Sequence, residues 1–231
     1  MKLLLEILAG LGEEYHPVNP LYHISHMRSI YASCQILQED VDMALKRLKT
    51  LMSACIQLIY SLEEKLDMIQ RFDRKRIGEI PQAIDKESLL KKLSECKTKM
   101  QLSSIHTSTS GFIQGLPSPE LLSAINAIFS SVRQARYGIN VDHTAYQDGN
   151  EKMIEALKDA PRKIQFALIQ YRHTIENRNM ALYGSGTGLV DLCKESLRYL
   201  RQQLHLPESE KALIGRLVFI KRVMVHSALS A

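Results

Sequence analysis

Tryptophan is absent from this 231-residue chain, and phenylalanine occurs only five times against nine tyrosines. Any core must therefore be built mostly from Leu, Ile, Met and Ala. Cysteine is scarce, and no two cysteines stand as CxxC. Cys34, Cys55, Cys96 and Cys193 are scattered, which excludes a disulfide-framework miniprotein. Cys34 and Cys55 fall on one predicted helix, about 32 Å apart along its axis, too far to bond. Buried free thiols in a reducing compartment, the cytoplasm, are the expectation. No run approaches eighteen apolar residues, so no membrane span is predicted. The leucine-rich start is broken by Glu6 and followed by no small-residue cleavage site. It is expected to be a short helix packing its leucines on the body rather than a secretory signal. Neither charge sign dominates, since 30 Lys and Arg against 25 Asp and Glu leave +5. With 45% apolar and 24% charged residues, the composition excludes wholesale disorder and collagen-like repetition.

Glycine and proline are missing altogether from Leu21 to Ile77, between Pro20 and Gly78. Within that stretch the positions 27, 30, 34, 37, 41, 44, 48, 51, 55, 58, 62, 65, 69 and 72 alternate in steps of three and four. All are apolar except Lys65, which predicts one long heptad-patterned helix. Leu45, Met52, Ile59 and Leu66 form a second apolar stripe. The apolar face is then wider than a two-stranded seam, as a bundle of three or more helices requires. Charged residues occupy the opposite face, with Asp42–Lys46 and Asp67–Arg71 in pairing register. Unbroken, such a helix would be about 80 Å long, against a radius of gyration of about 17 Å for a compact chain of this size. The predicted fold is all-α, an elongated multi-helix bundle built around residues 21–77.

Asp85 is positioned to cap a lysine-rich amphipathic helix bearing Leu89, Leu90, Leu93, Cys96 and Met100, folded back antiparallel on the first. Thr107 to Gly115 and Pro117 read as a loop and as the boundary between two regions. Residues 1–106 would be a coiled-coil-like hairpin, and 118–231 a C-terminal helical bundle packed with it as one unit. Ser118 and Pro119 open the next helix as cap and first position. Asn140 to Gly149 read as a polar connector, Asn150 as a cap and Pro161 as an interruption or kink. Further helices are expected over about 162–183, 189–205 and 209–228.

Catalytic and metal motifs are also lacking. Eight histidines are present without an HExxH; His23 and His26 lack a nearby acidic or thiol partner, and the one ExxH, Glu13–His16, lies beside Pro17. No cofactor and no metal are expected. The glycine-rich turn Gly184-Ser185-Gly186-Thr187-Gly188 lacks the Lys-Ser/Thr of a P-loop and a preceding strand. Residues 151–231 hold 13 basic and 8 acidic side chains, and Lys194, Arg198 and Arg201 recur on one helical face behind that turn. Gly186, Gly188, Lys194, Arg198 and Arg201 together form a candidate anion site for weak binding of RNA or anionic lipid. The function that fits best is non-enzymatic: a helical protein-interaction module (adaptor, assembly factor or delivered effector) that binds a protein partner or itself.

Arg178-Asn179-Met180-Ala181-Leu182-Tyr183 resembles the Arg-Asn-x-x-x-His motif of HEPN ribonucleases, all-α proteins in which that Arg and His cleave RNA at a dimer interface. The likeness continues through the helix after the glycine turn. Tyr183 stands where the His would be, so the imidazole that serves as acid and base near neutral pH is missing. His173 lies about one and a half turns upstream, a poor substitute by spacing. The alternative that the resemblance implies is RNA binding or cleavage with Arg178, Asn179 and Tyr183 at the site.

Overall fold

A computed structural model describes residues 2–75, 85–105, 109–135 and 143–203. Its elements are α1 (Lys2–Gly10), α2 (Ile24–Lys75), α3 (Lys86–Ile105), α4 (Thr109–Gln114), α5 (Pro119–Ala135), α6 (His143–Tyr183) and α7 (Leu189–Gln203), with 3-10 turns at Gly12–Glu14 and Pro20–Tyr22. Among the described residues there is no strand, and the chain is an all-α multi-helix bundle.

The run without Gly or Pro becomes the single 52-residue helix α2, unbroken through the polar stretch Gln35 to Asp42. Before it, Asn19 caps the 3-10 turn Pro20–Tyr22, its side-chain oxygen accepting the Leu21 N–H at 3.0 Å, and the His23 carbonyl accepts the Met27 N–H at 3.0 Å as α2 begins. Burial along α2 sorts the heptad positions. Met27, Cys34, Val41, Leu48, Cys55, Leu62 and Ile69, seven apart, are all buried. Ile30, Leu37, Ala44, Leu51 and Leu58 are half-buried, whereas the second stripe supplies the buried Met52, Ile59 and Leu66. At 100° per residue the second stripe lies about 40° from the first, so the buried face is centred between those two. The outer face is partly paired. Arg71 and Asp67 form an ion pair at 2.6 Å. The expected Asp42–Lys46 pair is not formed, because Gln38 Nε2 donates to Asp42 Oδ1 at 3.0 Å instead.

Asp85 caps α3 as its position suggested, accepting the Ser88 N–H at 3.2 Å. Two ties hold α3 antiparallel to α2. Lys97 Nζ meets Glu63 Oε2 at 2.5 Å while lying 4.6 Å above the Tyr60 ring centroid, and Gln101 Nε2 donates to Tyr60 Oη at 2.8 Å. Both side chains of that ion pair are mostly buried, at 18% and 23% exposure, so solvent screens it less than a surface pair.

Two expected loops are helical instead. Residues 109–114, read as loop, form α4, because Thr109 and the fully buried Phe112 anchor one face of a turn-like composition. Its end presses on α3: a Cβ at Gly115 would lie 3.1 Å from Met100 Cγ and 3.2 Å from Lys99 Cβ. Thr107 and Ser108 lie outside the described residues. Ser118 caps α5 as expected, its Oγ accepting the Leu121 N–H at 3.2 Å. The connector expected at 140–149 is helical from His143, and Asn150 is an interior residue of α6 rather than a cap. Gly149 disfavours helix by about 1 kcal/mol. Against that, Asn150 is buried and accepts Lys65 Nζ at 2.5 Å, and a hydrogen bond to a charged group contributes about 1.5–3 kcal/mol. α6 also runs through Pro161, which removes one backbone donor without ending the helix. The helix expected over 209–228 lies outside the described residues.

The contacts define two compact units. One takes the chain up to Leu45 and resumes at Gln170; the other contains Lys46–Ile169. In the first, Leu4, Leu5 and Leu8 of α1 pack with Tyr15, Met27, Cys34 and the α7 residues Leu189, Cys193, Leu197 and Leu200. Tyr15 Oη donates to the Tyr22 carbonyl at 2.8 Å and shares that proton with Ser196 Oγ at 3.2 Å. Ser196 in turn donates to Met27 Sδ at 3.3 Å, so its fully buried hydroxyl is satisfied. In the second unit, the α2 residues from Leu48 to Ile69 and the apolar faces of α3, α5 and α6 supply the buried side chains.

Candidate functional site

The glycine turn between α6 and α7 owes its glycines to backbone geometry. Gly186 has φ +74°, a left-handed conformation that side chains disfavour. A Cβ at Gly184 would lie 2.6 Å from the Met180 carbonyl oxygen, and one at Gly188 would lie 2.5 Å from the Gly184 nitrogen. The amides an anion would need are in use. Gly186 N–H donates to Asp191 Oδ2 at 3.3 Å, and Gly188 N–H to the Gly184 carbonyl at 2.7 Å. Asp191 thus sits in the first turn of α7 as a built-in anion facing the helix's positive end.

Behind the turn, Lys194, Arg198 and Arg201 are exposed on α7. Lys194 lies 3.5 Å from Asp191, and Arg198 lies 3.9 Å from Glu195, each three residues upstream. Arg201 forms no ion pair with a described residue and stands in the last turn, where a cation complements the helix dipole.

Arg178 is held by neutral amides. Its Nε and Nη2 donate to Asn179 Oδ1 at 3.3 and 2.9 Å, and its Nη1 donates to Gln38 Oε1 at 3.1 Å. Tyr183, five residues on, lies about 140° round the helix and about 7.5 Å along it, so Arg178 and Tyr183 do not share a face. His173 meets the Asn177 side chain at 3.3 Å. Among the described residues no group of three or more His, Cys, Asp or Glu converges to hold a metal.

Sequence reasoning missed an open groove of about 410 Å³ between α3 and the turn leading into α5. Leu89 and Cys96 of α3 and Leu116 and Leu121 across from them supply its apolar lining, and Lys92, Glu95 and Lys99 stand on its α3 rim. Neither lysine forms a hydrogen bond or ion pair with another described residue. Burial raises the half-buried Cys96 thiol above its ordinary value, so at neutral pH it is protonated and a weak nucleophile. Glu120, at the other edge, is held below the usual carboxylate range by its own backbone N–H and by the Ser118 hydroxyl. The groove's one signal in the sequence is the seven-residue spacing of Lys92 and Lys99 around Cys96.

Comparison with known proteins adds no relative: no protein-family model, no curated protein and no solved structure matches the chain.

Proposed function

We propose that this chain is a non-enzymatic helical interaction module, an adaptor, assembly factor or delivered effector that binds a protein partner or a second copy of itself. One observation carries the reading. Large apolar side chains stand exposed in pairs at helical spacing on otherwise polar faces: Ile36 and Met43 on α2, at 60% and 62% exposure, and Phe166 and Ile169 on α6, at 56% and 57%. Single exposed apolar residues are ordinary on a protein surface, but pairs on one face make a patch that a partner can cover. The proposal includes a reducing compartment, the cytoplasm; the four free thiols, three of them buried, support it. No helix among the described residues is long and apolar enough to cross a membrane.

A photo-crosslinking residue placed at Phe166 or Ile169 tests the reading. Discrete adducts, to another protein or to a second copy, are expected there and not from the exposed Lys152 on the same helix. Absence of adducts at both apolar positions, together with a monomeric mass at every concentration, would defeat it. The alternative, RNA binding or cleavage through Arg178, Asn179 and Tyr183, has less support, since the Arg178 donors are directed to Asn179 and Gln38. RNA cleavage lost in Arg178→Ala would reverse that ranking. Weak, salt-sensitive binding of RNA or anionic lipid along α7 would have to compete with Asp191 and Glu195 for Lys194 and Arg198.

A further inference from the structure

We propose that this chain pairs with a second copy of itself through the outer face of α2, the two helices antiparallel and related by a two-fold axis at Met43. The proposal rests on the interaction-module reading and commits it to a closed, symmetric dimer.

The face runs against the pattern of its own helix. Ile36 lies about 200° round α2 from the buried Cys34, and Met43 the same angle from the buried Val41, on the side that heptad patterning reserves for polar residues. Both are more than half exposed. Charge along this one continuous helix is sorted about Met43. Before it stand Glu39, Asp40 and Asp42, with no basic residue from Ser29 to Leu45. After it stand Lys46, Arg47 and Lys49, with no acidic residue until Glu63. Gln38 holds Asp42, so Lys46 is left without the carboxylate one turn back. The side chains of Glu39, Asp40 and Lys46 form no hydrogen bond or ion pair with another described residue.

A two-fold axis through Met43 brings the acidic half of one face to the basic half of the other. Measured round the helix from Met43, Glu39 and Lys46 lie about 40° and 60° to one side, and Asp40 and Arg47 about 60° and 40° to the other. Along the helix, each stands about 4.5 or 6 Å from Met43. Glu39 of one copy therefore meets Lys46 of the second on the same side, within about 1.5 Å in height, and Asp40 meets Arg47 likewise. Symmetry repeats both contacts, so four ion pairs frame the two methionines. Further out, Ile36 comes opposite Thr50, and the small, exposed Ala32 opposite Ala54, which lets the helices approach closely. From Ser29 to Gln57 no other charge stands within about 60° of the Met43 line. A parallel pair in register would set Glu39 against Glu39 and Lys46 against Lys46, so the charges select the antiparallel arrangement. They fix register more than they add affinity, while burying Ile36 and Met43 of both copies supplies the attraction. The face is its own complement, and pairing closes at two copies.

Sedimentation velocity of the full chain over a concentration series tests this directly. The wild type should rise in mass from one copy to two and no further, and less so as salt is raised. Glu39→Lys and Lys46→Glu should each weaken association by about tenfold or more, since like charges then face each other across the axis. Glu39→Lys/Lys46→Glu in one chain exchanges the two signs and should restore wild-type association, which also shows that both changes leave the chain folded. A second measurement reads the register. Met43→Cys places a thiol on the axis, so the oxidant diamide should join two copies through it, above the wild-type background. Ser29→Cys, about 21 Å from the axis along the helix, should stay unlinked. A wild type that stays monomeric, single variants that associate like wild type, an exchanged variant that does not recover, or Ser29→Cys that links as readily as Met43→Cys would each overturn the proposal. If the wild type associates without regard to these charges, or is monomeric yet crosslinks to another protein through Phe166, this contact is wrong while the interaction-module reading stands.

Discussion

Tyr15 joins three segments of one unit through a single hydroxyl. Its proton reaches the Tyr22 carbonyl and Ser196 on α7, and its ring meets Tyr199 edge-on, with centroids 5.6 Å apart and planes at 87°. Tyr15→Phe keeps the ring and removes the hydrogen bonds. It should cost about 1 kcal/mol in urea unfolding, the usual net value of such a bond, with the midpoint lowered and the denaturant slope unchanged. A stability equal to wild type would show that the hydroxyl contributes no net stability. None of this is visible in the local sequence. Tyr15 sits between Glu14 and His16, in a polar stretch ended by Pro17, and only the return of α7 gives it a partner.

At the scale of the element, α2 and α6 are where propensity and tertiary contact diverge. Lys65 is the one polar residue in the heptad series, and Asn150 sits where local chemistry suggests a cap. Each is explained by the other, through the bond from Lys65 Nζ to the buried Asn150. Burial lowers the Lys65 ammonium below its ordinary value, so the charge is held at some cost. Lys65→Met should destabilise by about 1–3 kcal/mol, because it leaves a buried carboxamide oxygen without that donor. Lys65→Met/Asn150→Leu should recover most of the loss, since an apolar pair replaces a polar one. A double-mutant cycle from urea unfolding reads the coupling; single effects that simply add would show that the two side chains do not act together. The same divergence explains α4. Thr-Ser-Gly composition argues for a loop until Phe112 finds a buried site, and a six-residue helix is too short to declare itself by periodicity.

At the scale of the whole molecule, buried neutral acids among the described residues shape the alkaline pH response. Burial raises Tyr15, Cys34, Cys55 and Cys96 above their ordinary values and pushes Cys193 up to about 12. A raised folded value contributes stability that is complete below the unfolded value and is lost as pH climbs toward the folded one. For the thiols this window opens near 9.0, for Tyr15 near 10.0, and for Cys193 it closes at about 12. Lys65 and Lys86 act in the opposite sense: burial lowers both, and deprotonation relieves their cost in the same alkaline range. Among the described residues, these five groups against two predict net loss of stability above pH 9, measured by thermal unfolding at stepped pH. Cys193→Ala should shallow that decline relative to its own neutral-pH stability. A flat profile through pH 11 would show that these groups are not buried as neutral acids.

The sequence alone determined what depends on neighbours along the chain. A stretch without glycine or proline, apolar in steps of three and four, can hide its apolar side chains only as a long helix, and Asp85 and Ser118 mark helix starts because their oxygens reach amides three residues on. The number of glycines in the turn after α6 was legible for a similar reason, although their purpose, close backbone approach, was not. Tertiary structure decided whatever needed a partner from elsewhere in the chain: which side of the α2 stripe is deepest, that Gly149 and Asn150 stay helical, that Asp191 takes the Gly186 amide, and that two lysines flank a groove. Local propensities differ by about 1 kcal/mol per residue, whereas one buried side chain or one charge-assisted hydrogen bond contributes about 1.5–3 kcal/mol. Where the two disagree, the contact made across the fold prevails.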